Sequence, residues 1–384
     1  MKIEKKIKKA GKFLSRSKII HKIINYFYIH KAADSSDILT FSEFTGDMEV
    51  WTNYSDSPEQ IEITDVGYRF LERGCYVDPR YGIHLTSQFK IIIENSGCHN
   101  IHIALQSLMA FLYYRGRDIH KLEKKSLKFC VSFAGEWTSN YFHWVSDWLT
   151  RFSYIYADKE ILQHRITLIA PAELKSFQLD YLRELLPSRW TIYKPDRQEI
   201  LHVERLAIYS VPKMQNIHLP NSYQLDNTAY IPESYETVNK KFKKIITTNS
   251  RELILLIQRE SQNSRQIKNS NLLKETLKSE FPNKILVTAY LEYLPLKVQI
   301  GLFKRADVIV GAHGAGLTNI IFCESCKIIE IVPRFARIHY NPLAYHFKNQ
   351  YSLVVGDNNR ENQIFLQNSQ IDEILHQIRR FLQI

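Results

Sequence analysis

Val308-Ile309-Val310-Gly311-Ala312-His313-Gly314-Ala315-Gly316-Leu317-Thr318-Asn319 reads as a buried strand that runs into a glycine-rich turn and then an apolar helix. Ala306 to Val310 is the short β-branched run of a central parallel strand, and Gly311, Gly314 and Gly316 let the backbone turn tightly and approach a ligand. With Leu317 to Phe322 following as a helix, its first amides and its dipole point at the turn, and both favour an anion such as phosphate. The spacing G-x-x-G-x-G is not the dinucleotide fingerprint G-x-G-x-x-G, so the glycines alone identify no nucleotide. His313 and Asn319 sharpen the reading.

Downstream of Glu236, helical and strand patterns alternate. A helix to Thr247 precedes a strand Leu253 to Ile257, a helix Asn271 to Phe281 leads to a strand Ile285 to Thr288, and a helix Leu296 to Arg305 leads into the quoted stretch. Strands Lys327 to Val332 and Tyr351 to Val355 follow, then a last helix Ile371 to Ile384 with one apolar face. This is the pattern of a doubly wound sheet, in which ligands sit beyond the carboxyl ends of the strands, where the glycine turn and Glu330 are expected to fall. Upstream, Ile166 to Ala170, Trp190 to Lys194 and Leu206 to Tyr209 read as strands, Glu173 to Leu186 as a helix, and Asn216 to Ser234 as a linker or lid. Residues 35–135 are mixed, with a strand-like run Phe89 to Ile93.

A chain of 384 residues with 45% hydrophobic content is long enough for two cores. The expected division is a basic tail 1–34, a domain 35–235 and a domain 236–384. Net charge is +11, but residues 1–31 carry +9 and the remainder only +2. The tail alternates Lys2, Lys5, Lys6, Lys8, Lys9 and Lys12 with apolar residues at roughly helical spacing, and is too interrupted to span a bilayer. Two readings stand: a basic amphipathic helix on an anionic membrane surface, or a solvated helix packed on the body. A nearly neutral body without interleaved aromatic and basic patches argues against a nucleic-acid partner. Five cysteines fit a reducing compartment, and Cys323-x-x-Cys326 lacks a second pair for zinc, which leaves ordinary apolar packing.

Asn140-Tyr141-Phe142-His143-Trp144, with Asp147 and Arg151 after it, taken together with Gly311 to Asn319 and Glu330, resembles glycosyltransferase family 61. The likeness runs from about Glu136 to about Pro333. It implies an α/β, GT-B-like architecture of two Rossmann-like domains facing a cleft, here with an N-terminal basic amphipathic helix. It also implies a nucleotide-sugar donor on the C-terminal domain and inversion at the anomeric carbon. Two positions depart from the family pattern: Arg259 and Arg265 are followed by Asn269-Ser270 rather than Asn-Glu, and Val298 stands where a carboxylate often precedes Gln299.

Transfer from a nucleotide sugar needs a base for the acceptor hydroxyl and positive potential for the departing diphosphate. Arg259 and Arg265 follow the first strand of the C-terminal domain, placed to clamp phosphate or to solvate the surface beside Glu260. His313 donates to a phosphate or buttresses its own loop. Gly314 and Ala315 with Gly316 form the cradle, and Asn319 fixes it. Glu330, a carboxylate in an apolar strand, meets ribose hydroxyls or a buried salt bridge. His143 and Asp147, four apart, share a helix face as a base pair for the acceptor or as a plain ion pair. Trp137, Trp144 and Trp148 either stack on sugars or form core.

No Asp-x-Asp occurs in the chain, so metal-independent transfer with no cofactor is expected. The expected enzyme moves a hexosyl or pentosyl group to a glycan or lipid-linked glycan, in bacterial capsular or cell-surface polysaccharide synthesis. It works in the cytoplasm, bound peripherally to the membrane. A nucleotide-dependent phosphotransferase and a non-catalytic nucleotide-binding scaffold remain the alternatives.

Overall fold

The computed structural model describes residues 29–30, 38–50, 59–80, 82–88, 91–92, 124–135, 137–197, 199–212, 230–245, 253–260, 265–333, 340–359, 361 and 363–383. The chain divides into two units, Met1–Phe44 with Thr64–Lys213, and Thr45–Ile63 with Met214–Ile384. The second unit therefore takes in Pro232–Tyr235, a 3₁₀ turn that the sequence reading had placed in the preceding domain. Most of the expected basic tail, residues 1–28, and most of the expected linker, residues 216–229, lie outside the described residues. The tail's end does not: Ile29–His30 is a strand paired in parallel with Ile91–Ile92.

The second unit carries a sheet in the order Ile285–Tyr290, Leu253–Gln258, Ala306–Ala312, Lys327–Pro333, Gln350–Asn358 and Ile364–Phe365. Every pairing but the last is parallel. All six residues of Leu-Ile-Leu-Leu-Ile-Gln are buried, as are all seven of Lys-Ile-Ile-Glu-Ile-Val-Pro, because central parallel strands are covered on both faces. At the edge, Ile285–Tyr290 is only partly covered. The cradle strand continues to Ala312, two residues beyond the expected end, because Gly311 is paired with both Ile257 and Glu330. Its hydrogen replaces a Cβ that would lie 2.9 Å from the Ile257 Cβ, so this glycine serves strand packing rather than the turn.

Among the described residues, Ser270–Glu280, Leu296–Arg305 and Asn368–Leu382 pack on this sheet with faces that follow the 3.6-residue period. Ser270–Glu280 buries Leu273 and Leu277; Leu296–Arg305 buries Leu296, Gln299, Ile300 and Phe303. The last helix, Asn368–Leu382, buries Ile371, Ile374, Leu375 and Ile378 in the same cluster as Leu273, Leu277 and Val354. It is therefore a core element of the second unit, and each such side chain contributes about 1.5–3 kcal/mol. Gln370 closes its first turn by accepting from the Gln367 amide at 2.7 Å.

The first sheet is mixed rather than doubly wound. Ile200–Tyr209 lies at its centre, antiparallel to Glu59–Asp78 on one side and parallel to Lys124–Ser132 on the other. Thr167–Ile169 and Thr191–Tyr193 extend the parallel half, which is the half the sequence pattern disclosed. The strand Glu59–Asp78 lies outside that half; its pairs with Ile83–Leu85 and Ile200–Tyr209 are antiparallel, and antiparallel pairing requires no helical crossover to announce it. Beyond the end of Lys124–Ser132, Phe133 packs against Trp144, Trp148 and Phe152 at 6.1, 5.8 and 5.3 Å between ring centroids. Trp144 and Trp148 are thus core, while Trp137 is exposed.

Candidate functional site

In the second unit the strand Ala306–Ala312 hands over to His313, whose amide still bonds to Ile331 O at 2.8 Å. The chain then enters the expected helix, which is of the 3₁₀ form and runs Ala315–Phe322, starting two residues before Leu317. Leu317 N–H makes the first bond of that helix, to Gly314 O at 3.0 Å, so the amides of Ala315 and Gly316 precede the helical ladder. Those two residues are the half-exposed part of an otherwise buried turn.

Protein groups grip the turn from inside. Arg259 Nη1 donates to His313 O at 3.2 Å, and a Cβ on Gly314 would stand 2.0 Å from the same nitrogen. A Cβ on Gly316 would meet Leu291 Cδ1 at 2.7 Å. The space that both glycines keep clear is thus occupied by the protein itself. Tyr340 donates its hydroxyl to Gly314 O at 2.8 Å, and its ring lies 5.7 Å from that of His313.

Glu330 is wholly buried in the middle of Lys327–Pro333, where the sequence reading put it at the strand's end. One carboxylate oxygen is bonded to His313 Nδ1 and the other accepts from the Tyr351 hydroxyl. Both oxygens are thereby engaged by protein, and Glu330 acts through His313. The register explains Tyr351: Glu330 pairs with Leu353, so the residue two places earlier is its diagonal neighbour on the same face. Burial, with the Glu330 carboxylate second, pushes the Tyr351 hydroxyl well above its ordinary range and keeps it a donor. With Nδ1 engaged, any contact of His313 to a ligand falls to Nε2.

Asn319 also faces inward, donating to Gln299 Oε1 at 2.9 Å. Gln299 in turn donates to the carbonyls of Leu291 and Leu294, both at 2.9 Å. Arg259 is the group with the strongest claim to an anion. Its pKa is lowered first by burial and then by the charge of Arg265, and its Nε is buried with no hydrogen-bond partner. Arg265 itself adopts a left-handed backbone, φ 64°, a conformation that costs a non-glycine residue energy and gathers at functional loops.

In the first unit, Asn140 Oδ1 caps the turn that carries His143, accepting from Phe142 N at 3.0 Å. His143 Nδ1 meets Asp147 Oδ2 at 2.8 Å, the i,i+4 contact expected from the spacing. The helix is wound as a π turn from Trp144 to Trp148, a form concentrated at functional sites. Asp147 is 1% exposed and His143 side chain 30%, so the imidazole is the reachable member. Trp137, itself at φ 60°, lays its ring 5.4 Å from that of His143. Behind them Arg151 is buried, donating from Nε to Asp147 O at 2.9 Å and lying over the Trp148 ring at 4.2 Å.

Sequence reasoning missed Tyr340, Tyr351 and the pair His84–Ser132, in which Nε2 and Oγ lie 2.7 Å apart and buried. No local pattern marks any of them, since each acts on a residue far away in the chain. Cys323 and Cys326 are both buried, with thiols 3.2 Å apart, in the packed position expected.

Residues 141–329, just under half of the chain, match the family model for glycosyltransferase 61, so the family resemblance is borne out. A β-1,2-xylosyltransferase from Oryza sativa subsp. japonica is 33% identical over 72 residues, which are 17% of this chain and 14% of that protein. The match to this plant relative is therefore confined to a small part of either chain.

His84 supplies a test of the packing behind His143. Burial first, and the nearby Arg151 charge second, push its imidazole from 6.5 down to about 3. The unfolded chain takes up this proton near pH 6.5, and the folded protein refuses it until about pH 3, so the unfolded state binds more protons between those values. The stability held by neutral His84 is complete above that window and is lost as pH falls through it. In His84→Gln, urea titrations should give an unfolding free energy that falls less steeply over the same window; a slope equal to that of the unaltered protein overturns this assignment.

Proposed function

We propose that the protein is a metal-independent, inverting glycosyltransferase that takes a hexosyl or pentosyl group from a nucleoside-diphosphate sugar. The observation that carries the reading is Arg259: a desolvated guanidinium beside Arg265, gripping the glycine turn, with a buried Nε that lacks a partner. Two cations brought together at a turn of bare amides stabilise a diphosphate as negative charge builds on it. The match to glycosyltransferase 61 spans the turn and supports the assignment.

In the proposed reaction, an acceptor hydroxyl of a glycan or lipid-linked glycan attacks the anomeric carbon while the bond from that carbon to the diphosphate oxygen breaks. His143 Nε2 receives the hydroxyl proton. Asp147 accepts from Nδ1–H, which fixes the tautomer with its lone pair on Nε2 and steadies the imidazolium once formed. The departing nucleoside diphosphate keeps its electron pair and is held by Arg259, Arg265 and the amides of Ala315 and Gly316. Glu330 and Tyr351 hold the His313 ring, and Asn319 holds the turn, without touching the donor.

The basic tail suggests an acceptor at an anionic membrane surface, as in cell-surface or bacterial capsular polysaccharide assembly from the cytoplasmic side.

Donor binding is checked by calorimetry with UDP and GDP. Gly316→Val and Arg259→Ala should each lower the affinity for one of these at least ~10-fold, since charge-assisted contacts to an anion contribute ~1.5–3 kcal/mol. Equal affinity in both variants places the donor elsewhere. For the base, His143→Ala and Asp147→Asn should lower single-turnover transfer ~10²–10⁴-fold with donor affinity kept. Parallel losses in the two quantities would show that His143 binds the donor instead, and binding without turnover in the unaltered protein points to a scaffold. For the tail, deletion of residues 1–28 spares the strand at Ile29 and should abolish co-sedimentation with phosphatidylserine vesicles, as should raised salt. Undiminished sedimentation removes membrane binding from the tail's functions.

A further inference from the structure

We propose that Tyr290 and Tyr293 form an aromatic platform that stacks on the nucleobase of the donor, a subsite that rests on the donor reading above. Both side chains face solvent, 42% and 64% exposed, whereas Tyr235, Phe242, Phe281, Phe303, Phe322 and Tyr340 of the same unit are packed inside. Their ring centroids are 6.4 Å apart with planes at 49°, so one face can lie under a planar base while the other ring meets its edge.

Their place in the fold argues for a nucleotide rather than for a chance surface pair. Tyr290 is the last residue of Ile285–Tyr290 and is paired in register with Gln258, immediately before Arg259. The carboxyl ends of this strand, of Leu253–Gln258 and of Ala306–Ala312 are consecutive along one edge of the sheet. Two strand spacings, about 10 Å, separate Tyr290 from the start of the turn, comparable to the reach of a nucleoside from base to diphosphate. Ligands of parallel α/β sheets lie along such an edge.

The platform is also tied to the cradle. Leu291, between the tyrosines, has its side chain against Gly316, and Glu292 is close enough to Arg259 to favour its charge. Gln299 holds the carbonyls of Leu291 and Leu294 while its own Oε1 takes the Asn319 amide. The 3₁₀ turn Leu291–Tyr293 is therefore fixed relative to Ala315–Phe322 by a buried amide chain, as a subsite reading one end of a ligand must be relative to the subsite reading the other. This gives the buried Gln299 and Asn319 a common purpose.

The test uses the full-length chain and three probes, UDP, GDP and inorganic pyrophosphate, in calorimetric titrations. Tyr290→Ala with Tyr293→Ala should weaken UDP and GDP about tenfold or more, the range found for loss of base stacking, with pyrophosphate affinity unchanged. The doubly substituted Tyr290→Phe, Tyr293→Phe protein keeps the rings and should bind all three probes as the unaltered protein does. Pyrophosphate weakened in step with UDP in the alanine variant overturns the platform, because the substitutions would then act on the turn. Unchanged UDP and GDP affinity in that variant, with Arg259→Ala still losing both, overturns the platform and leaves the donor reading standing. If the unaltered protein binds none of the probes, both readings fall.

Discussion

The second unit's site is built on a carboxylate that has no access to water. Glu330 sits among Ile328, Ile329, Ile331 and Val332, all buried, and an acceptor left orphaned there would cost about 1–3 kcal/mol. His313 and Tyr351 satisfy one oxygen each. A single arrangement of three side chains, drawn from one turn and two neighbouring strands, thereby sets the orientation of His313 and with it the start of the glycine turn. Tyr340 and Arg259 then take the carbonyls of Gly314 and His313, so the turn is pinned through its acceptors while its leading amides precede the helix.

Charge is arranged on the opposite principle. Burial first, and the neighbouring charge of Arg265 second, lower the tendency of Arg259 to stay charged. A guanidinium whose charge is disfavoured in this way is stabilised by an anion placed beside it, which fits the diphosphate proposed above. Glu292 offsets part of the repulsion and lies on the turn that carries the exposed tyrosines. The first unit divides its labour similarly: a buried Asp147 orients an accessible His143, and Arg151 and the tryptophan core fix the π turn beneath.

How much of this was legible in the sequence followed from the range of the interactions. Consecutive apolar residues in Leu253–Gln258 and Lys327–Pro333, and helix faces at a 3.6-residue period, announced the parallel sheet and its cover, since those signals are local. His143 with Asp147 was readable because four residues bring side chains to one face. The antiparallel half of the first sheet was not readable, because antiparallel pairing requires no helical crossover and so leaves no regular alternation with helices. Gly311 was misassigned to the turn, since only its pairing with Ile257 and Glu330 shows it to be a strand residue.

By itself the sequence determined the α/β character of the second unit, the position of the glycine turn, the His143–Asp147 spacing and the family resemblance that the comparison bears out. Tertiary structure alone decided what each polar residue does. Whether Glu330 meets ligand or protein depends on Tyr351, 21 residues away and adjacent only through strand pairing. The same holds for Asn319 with Gln299, and for Arg259 with Gly314. Sequence patterns record the solvent-facing period of each element, which is a property of neighbours along the chain; partners for buried polar groups are set by sheet register, which brings together residues that no local pattern connects.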